Sequence, residues 1–460
     1  MDKDKGDNDT RSAQLFERAK RVLPGGVSRN TVLRKPHPQY AVRGEGCRVW
    51  DADGNCRIDF ANNMASLVHG HAHPAVVAAV TEQVGRGSAF TLATEQEVLF
   101  AEFMVDRAPA FEKIRFVNSG TEAVMSCLKA ARAYTGRPKI AKCEGAYHGL
   151  YDYAEVSQTS NPANWGTVDH PASTPVARGT PAGALGDVII IPFNDPLRAK
   201  AILDEHAGEI ACVLVDPIPH RIGMIPATTE FVTTLRDWTH DNGALLVFDE
   251  VITFRVAVGG AQDRYPVDVD LTALGKMIGG GFPIGALAGK KAIMDVMDPS
   301  APELLFPHSG TFSANPISMT AGLTTMKLLD CYAVERLNVM GAYARRSIEE
   351  VIDLADIPAC VTGAGSMFRI HLKPKPPEDY RTNYVGPMGA ERLEILLDHM
   401  FHNGFMMINT GSGMLSTAMT KVEIDEFADA LLGGLCKVRD ARTSELARSA
   451  YEPMSKIKVS

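Results

Sequence analysis

The chain has 460 residues, of which 45% are hydrophobic and 22% charged, with a formal net charge of −8. That balance suits a globular enzyme built from a large domain and a smaller one, and it argues against nucleic acid or an anionic membrane as the partner. No run of roughly 18 or more apolar residues occurs, which argues against a membrane span. The eight cysteines are scattered without CxxC spacing, which fits reduced thiols in a cytoplasmic protein.

In chain order, residues 1–12 open with a charged, apolar-poor stretch, MDKDKGDNDT, that reads as a disordered tail and not a secretory signal. Ala13 to Val22 looks helical, and Tyr40 to Phe60 reads as short strands with a turn at Asp51-Ala52-Asp53-Gly54. Pro74 to Val84 and Thr94 to Arg107 read as helices. From Ile114 on, apolar strands alternate with helical segments: Ile114–Val117, Lys139–Lys142, Val188–Pro192, Ile210–Val215 and Ala244–Phe248. That alternation predicts an α/β fold with a mostly parallel sheet covered on both faces. Tyr151 to Asp187 is rich in Pro, Ser, Thr, Gly and Asn and reads as an active-site loop. The expected division is 13–70 as an N-terminal segment joining the small domain, 71–315 as the large domain and 316–460 as the small one.

Two sites stand out. The apolar run Ala244 to Phe248 ends in Asp249-Glu250, and Lys276 sits shortly before Gly279-Gly280-Gly281. The carboxyl ends of strands face the ligand crevice in open α/β sheets, and a carboxylate there calls for a cation. The protonated ring nitrogen of pyridoxal phosphate would supply one, and a nearby lysine would hold the same cofactor as a Schiff base. The ordinary alternatives are a helix cap or solvated loop for Asp249 and an exposed side chain beside a turn for Lys276. Upstream, a strand runs into Asn118-Ser119-Gly120-Thr121, and then a helix places Ala123, Val124, Cys127, Leu128 and Ala131 on one face. Exposed amides and the helix dipole favour a phosphate at that turn, although a plain capped helix has the same pattern.

FVNSGTEA, EGAYHG, LLVFDEVITFR, GGAQ, DLTALGKMIGGGFPIGA and HSGTFSANPISMTAG occur in this order. Together they resemble the class III, pyridoxal-phosphate-dependent aminotransferases of fold type I. VLPGGVSRN and VHGHAHPAVVAAV resemble the subgroup of glutamate-1-semialdehyde aminomutase and β-amino acid aminotransferases. The resemblance implies a seven-stranded, mostly parallel sheet, a small α+β domain, and bound pyridoxal phosphate. It assigns catalysis to Lys276, Asp249 and Tyr147, with Lys276 as the Schiff-base lysine, Asp249 as partner of the ring nitrogen and Tyr147 stacked on the ring. Ser119, Gly120 and Thr121 would hold the phosphate. His148 is counted among the cofactor contacts, and Val251, two residues past Asp249, would share its strand face and touch the opposite side of the ring. Thr311 would reach the phosphate of a neighbouring subunit, implying a homodimer with shared active sites. Arg29 would read a substrate carboxylate.

The resemblance implies no metal, although His69, His71 and His73 are clustered. Departures from the family lie at Asp216-Pro217 where many members have Glu-Pro, at IPHRIG, in DEVITFR without its usual glycine, and in 152–186. They favour an aminotransferase acting between an amino acid or amine and an oxo acid. The alternatives are an aminomutase and a catalytically silent protein of this fold.

Overall fold

In the computed structural model, residues 10–451 are described. A helix at Arg11–Ala19 begins inside the stretch expected as a tail: Thr10 caps it by accepting from the Ala13 amide, and Asp53 accepts from the Ser12 amide at 3.0 Å. Residues 1–9 of that expected tail lie outside the described residues. Strands β1 (Ala41–Glu45), β2 (Arg48–Asp51) and β3 (Cys56–Asp59) follow as an antiparallel ribbon. The turn between β2 and β3 closes on Asp51, which accepts from the Asp53 and Asn55 amides (3.0 and 2.8 Å) and pairs with Arg57 at 2.6 Å.

The central sheet contains β4 (Lys113–Val117), β5 (Lys139–Cys143), β6 (Val188–Ile191), β7 (Ile210–Val215), β8 (Leu245–Asp249), β9 (Leu271–Gly275) and β10 (Gly285–Gly289). Their order is β4-β10-β9-β8-β7-β5-β6, with β10 antiparallel to both neighbours and the rest parallel. The expected seven-stranded, mostly parallel sheet is borne out. Side chains along β8 alternate between two cores, as period two requires. Leu245 and Val247 join Val124 and Leu128 of the helix Gly120–Thr135, while Leu246 and Phe248 join Phe231 and Leu235 of the helix Thr229–Asp241.

The sequence reading did not single out β9 and β10. The signal of β10 is weakened by glycines that crowding requires. A Cβ on Gly285 would lie 2.0 Å from the Ser119 carbonyl oxygen, and one on Gly289 would lie 2.3 Å from that of Asp270.

After the sheet come the helices Pro316–Leu328 and Cys331–Ala355, then β11 (Cys360–Thr362), β12 (Met367–His371), β13 (Phe405–Met406) and β14 (Ser412–Met414). Strand β13 pairs in parallel with β3, so the N-terminal ribbon and the C-terminal region share one sheet. The Phe60 ring lies tilted against Phe427 in that junction, with centroids 4.6 Å apart, and also meets Phe368 and Phe405. No helix among the described residues is long and apolar enough to cross a membrane.

The long stretch after Tyr151 holds only short helices, Asp152–Glu155 and Ala182–Gly186. Arg381 pins it. Its guanidinium forms a two-pronged pair with Glu144 (2.7 and 3.1 Å) and donates to the carbonyls of Trp165, Gly166 and Thr167.

Candidate active site

Three strand ends build the floor of the site. Strands β7, β8 and β9 are neighbours, and each runs out of apolar residues at the same edge. There the chain places Asp216, Asp249 and, one residue past β9, Lys276. Lys276 has φ +48°, a left-handed conformation rarely adopted by a side-chain-bearing residue. Burial lowers the pKa of its amine, and the carboxyls of Asp249 and Asp216 partly offset that. A lysine with a depressed pKa is a better nucleophile near neutral pH.

Asp249 is buried and held on both oxygens. Oδ1 accepts from the Val251 amide at 3.1 Å, and Oδ2 lies 2.7 Å from His148 Nδ1. Burial lowers the pKa of His148, so its neutral ring donates from Nδ1. Its Nε2 is then a buried lone pair without a partner among the described residues. Asp216 is also buried, and desolvation, with Asp249 nearby, raises it well above the usual carboxylate range. It therefore stays protonated in the range where an ordinary aspartate would be charged.

The other wall is a helix N-terminus. Ser119 caps the helix Gly120–Thr135 by accepting from the Glu122 amide at 3.1 Å, and Glu122 accepts in return from the Asn118 amide at 2.6 Å. The first amides of such a helix have no partner four residues back. Gly120 lies so near Val251 that a Cβ would meet Cγ1 at 2.9 Å, and a Cβ on Gly149, at φ +93°, would meet Thr121 Oγ1 at 2.6 Å. These close approaches draw the strand ends, the EGAYHG segment and the helix start around one cavity of about 140 Å³.

Ser119, Gly120, Thr121, Tyr147, His148, Asp249, Val251 and Lys276 line that cavity together. Val251 needs one correction. Strand β8 ends at Asp249, so Val251 does not follow the strand's alternation. It reaches the cavity because the Asp249 side chain folds the next residues into a turn. Arg29 and Thr311 are not in the lining. Arg29 is exposed and donates to Asn63 Oδ1 at 2.8 Å, and Thr311 is exposed.

Sequence reasoning missed Asp216 as a site residue, although its signal was present: it terminates an apolar run just as Asp249 does. It also missed His220 and Arg221, which stand behind Tyr147 and outside the lining itself. These flank Tyr147, with the imidazole centroid at 6.0 Å and the guanidinium at 5.5 Å from the phenol ring. Nothing in their spacing announced them.

Neighbouring groups have structural employment. Glu250 turns away from the cavity to accept from the Ala261 and Gln262 amides, and burial raises it to about 8. Arg255 is fully buried and donates to Ser366 Oγ at 2.9 Å and to the Leu415 carbonyl. His69 lies between Thr417 Oγ1 and the Thr325 carbonyl, and His71 sits on Asp59.

The model of the family described as class-III aminotransferase matches residues 32–438. Glutamate-1-semialdehyde 2,1-aminomutase of Methanothermobacter thermautotrophicus is 43% identical over 364 residues, covering 79% of this chain and 84% of that protein. An omega-transaminase from Sphaerobacter thermophilus is 44% identical with a TM-score of 0.92, covering 94% of this chain and 99% of that one. A transaminase solved with PLP bound is 41% identical with a TM-score of 0.86, covering 93% and 97%. With a family match across most of its length and close structural neighbours of fold type I, the chain belongs to the class III aminotransferases.

Proposed function

We propose that this protein is a pyridoxal-phosphate-dependent aminotransferase that moves an amino group between an amino acid or amine and an oxo acid. The observation that carries this reading is the cavity in which the Lys276 amine meets two carboxyls, an aromatic ring and a helix N-terminus. The residues present fit the cofactor. A lysine amine of depressed pKa, a carboxylate fixed by His148, an unpartnered His148 Nε2 and an amide-rich turn kept open by Gly120 are what a phosphorylated pyridine aldehyde requires. When bound, pyridoxal phosphate supplies an electron sink for the carbon that bears the amino group.

Each residue then has a task. Lys276 Nζ would hold the cofactor and, once released, would take and return a proton at the substrate carbon. Asp249 would face the ring nitrogen, with His148 fixing its orientation. Ser119, Gly120 and Thr121 would offer amides and hydroxyls to the phosphate. Tyr147 and Val251 would enclose the ring from its two faces, and Arg29 would read a substrate carboxylate.

A second reading, a glutamate-1-semialdehyde 2,1-aminomutase, is favoured by the curated relative at 43% identity. The aminotransferase is preferred on the strength of two segments of the chain. The segments 152–186 and 218–223 depart from the aminomutase pattern. The test supplies an amino-donor panel with pyruvate or 2-oxoglutarate and follows amino exchange between separate molecules. Isomerisation of glutamate-1-semialdehyde with no such exchange would establish the second reading instead.

The same proposal includes a cytoplasmic homodimer. Exposed Thr311 and Phe312, the latter 59% exposed, suit a surface that a second copy covers. The division into 13–70, 71–315 and 316–460 is proposed with it.

A further inference from the structure

Arg221 follows β7 on the segment that crosses the carboxyl end of the sheet. Its guanidinium lies 5.5 Å from the centre of the Tyr147 ring, inside the range of a cation–π contact. One N–H donates to the Gln158 carbonyl at 3.0 Å, and no carboxylate pairs with the side chain among the described residues. Behind it stands Arg369 of β12, which is 8% exposed and donates from Nη1 to the His220 carbonyl at 2.6 Å. Its Nε is buried without a partner, and no carboxylate pairs with it among the described residues.

Arg57, Arg236 and Arg381 are each neutralised by a carboxylate, whereas Arg255 and Arg107, like this pair, meet only carbonyls or a hydroxyl. The two carboxyls of the cavity are committed elsewhere: Asp249 is engaged by His148, and burial with Asp249 nearby disfavours the charged form of Asp216. The adjacent histidines, His220 and His371, are each pulled down to about 3, chiefly by burial, so they add no charge near neutral pH. Arg369 is withdrawn from water without an anion, which is costly, and Arg221 in front of it is half-buried; an arriving carboxylate would offset that cost through the planar fork of Arg221.

We infer that Arg221, backed by Arg369, is a specificity-determining residue that anchors a second substrate carboxylate, so that the oxo acid this site takes is a dicarboxylic one. This deepens and rests on the aminotransferase reading. It separates two roles: Arg29 for the carboxylate at the entrance, Arg221 for the distal one.

The test compares wild type, Arg221→Gln and Arg221→Lys as holoenzymes with 2-oxoglutarate and pyruvate. In Arg221→Gln the KM for 2-oxoglutarate should rise about 10- to 100-fold while that for pyruvate moves less than about threefold, as loss of a charge-assisted contact predicts. Arg221→Lys keeps the charge without the fork and should lie between. Equal effects on both acids overturn the inference, as does loss of bound cofactor from Arg221→Gln, which would place the residue in holding Tyr147. Calorimetric titration with glutarate and butyrate gives a readout independent of turnover. Wild type should prefer glutarate, and Arg221→Gln should lose that preference. If wild type exchanges no amino group between molecules, the aminotransferase reading fails, and the glutarate titration alone decides the inference. Equal glutarate binding by both proteins, or none by wild type, overturns it. Should Arg221→Gln not fold, unchanged acid selectivity in Arg221→Lys overturns it in its place.

Discussion

Replacing Lys142 by Met should alter stability in a pH-dependent way that identifies what this lysine does. Lys142 lies on β5, fully buried, and donates to the carbonyls of Ala146 at 3.0 Å and Val156 at 2.7 Å. It thereby ties both ends of the segment that carries Tyr147 and His148. Burial is the main reason its pKa falls from 10.5 to about 7, with Cys143 raising it and Arg221 lowering it. Between those two values the unfolded chain binds more protons than the folded one, so stability rises with pH. At roughly 1.4 kcal/mol per unit, the penalty is about 4 kcal/mol at pH 7 and about 2 kcal/mol at pH 9. Methionine removes this penalty but leaves two buried carbonyls unpaired, at about 1–3 kcal/mol each. The two terms nearly cancel at pH 7. At pH 9 wild type should therefore be more stable than the variant by about 2 kcal/mol more than at pH 7. Urea unfolding of both proteins at pH 7, 8 and 9 measures it. A difference that does not change with pH would refute a buried, proton-shedding lysine. Cofactor retention should fall in the variant at every pH, because the Tyr147–His148 segment loses its tie.

Four further outcomes follow from the site. Lys276→Ala should lose the visible absorption of bound cofactor and nearly all turnover, and wild-type activity in this variant would refute the mechanism. Asp249→Asn should unfold at an unchanged urea midpoint yet lose orders of magnitude in turnover, each factor of ten being about 1.4 kcal/mol of transition-state stabilisation; normal kinetics would remove Asp249 from the role of pyridinium partner. Mixing an inactive Lys276→Ala chain with an inactive, bulky Thr311→Trp chain should restore activity in hybrid dimers, and no restoration despite demonstrated subunit exchange would count against a shared site. Arg29→Ala should raise KM for carboxylated donors by a factor corresponding to about 1.5–3 kcal/mol while sparing simple amines, and equal effects on both would show that Arg29 reads no carboxylate.

Much of this protein was legible from local pattern. Five strands of the sheet, its parallel character, the capped helix at Ser119 and the place of Asp249 at a strand's carboxyl end all follow from short apolar runs that stop at a polar residue. Such signals survive because a doubly covered strand must be apolar throughout and a helix start must satisfy its first amides. Tertiary structure decided what local pattern cannot encode. Strand β10 was hidden because its glycines answer to Ser119 and Asp270, outside its own segment. Asp216 and Asp249 both end apolar strands, yet one is held by His148 while burial keeps the other protonated. Arg221 came beside Tyr147 only when the segment after β7 folded there. In each case the chemistry depends on which charges share a low-dielectric space, and only the packed chain sets those distances.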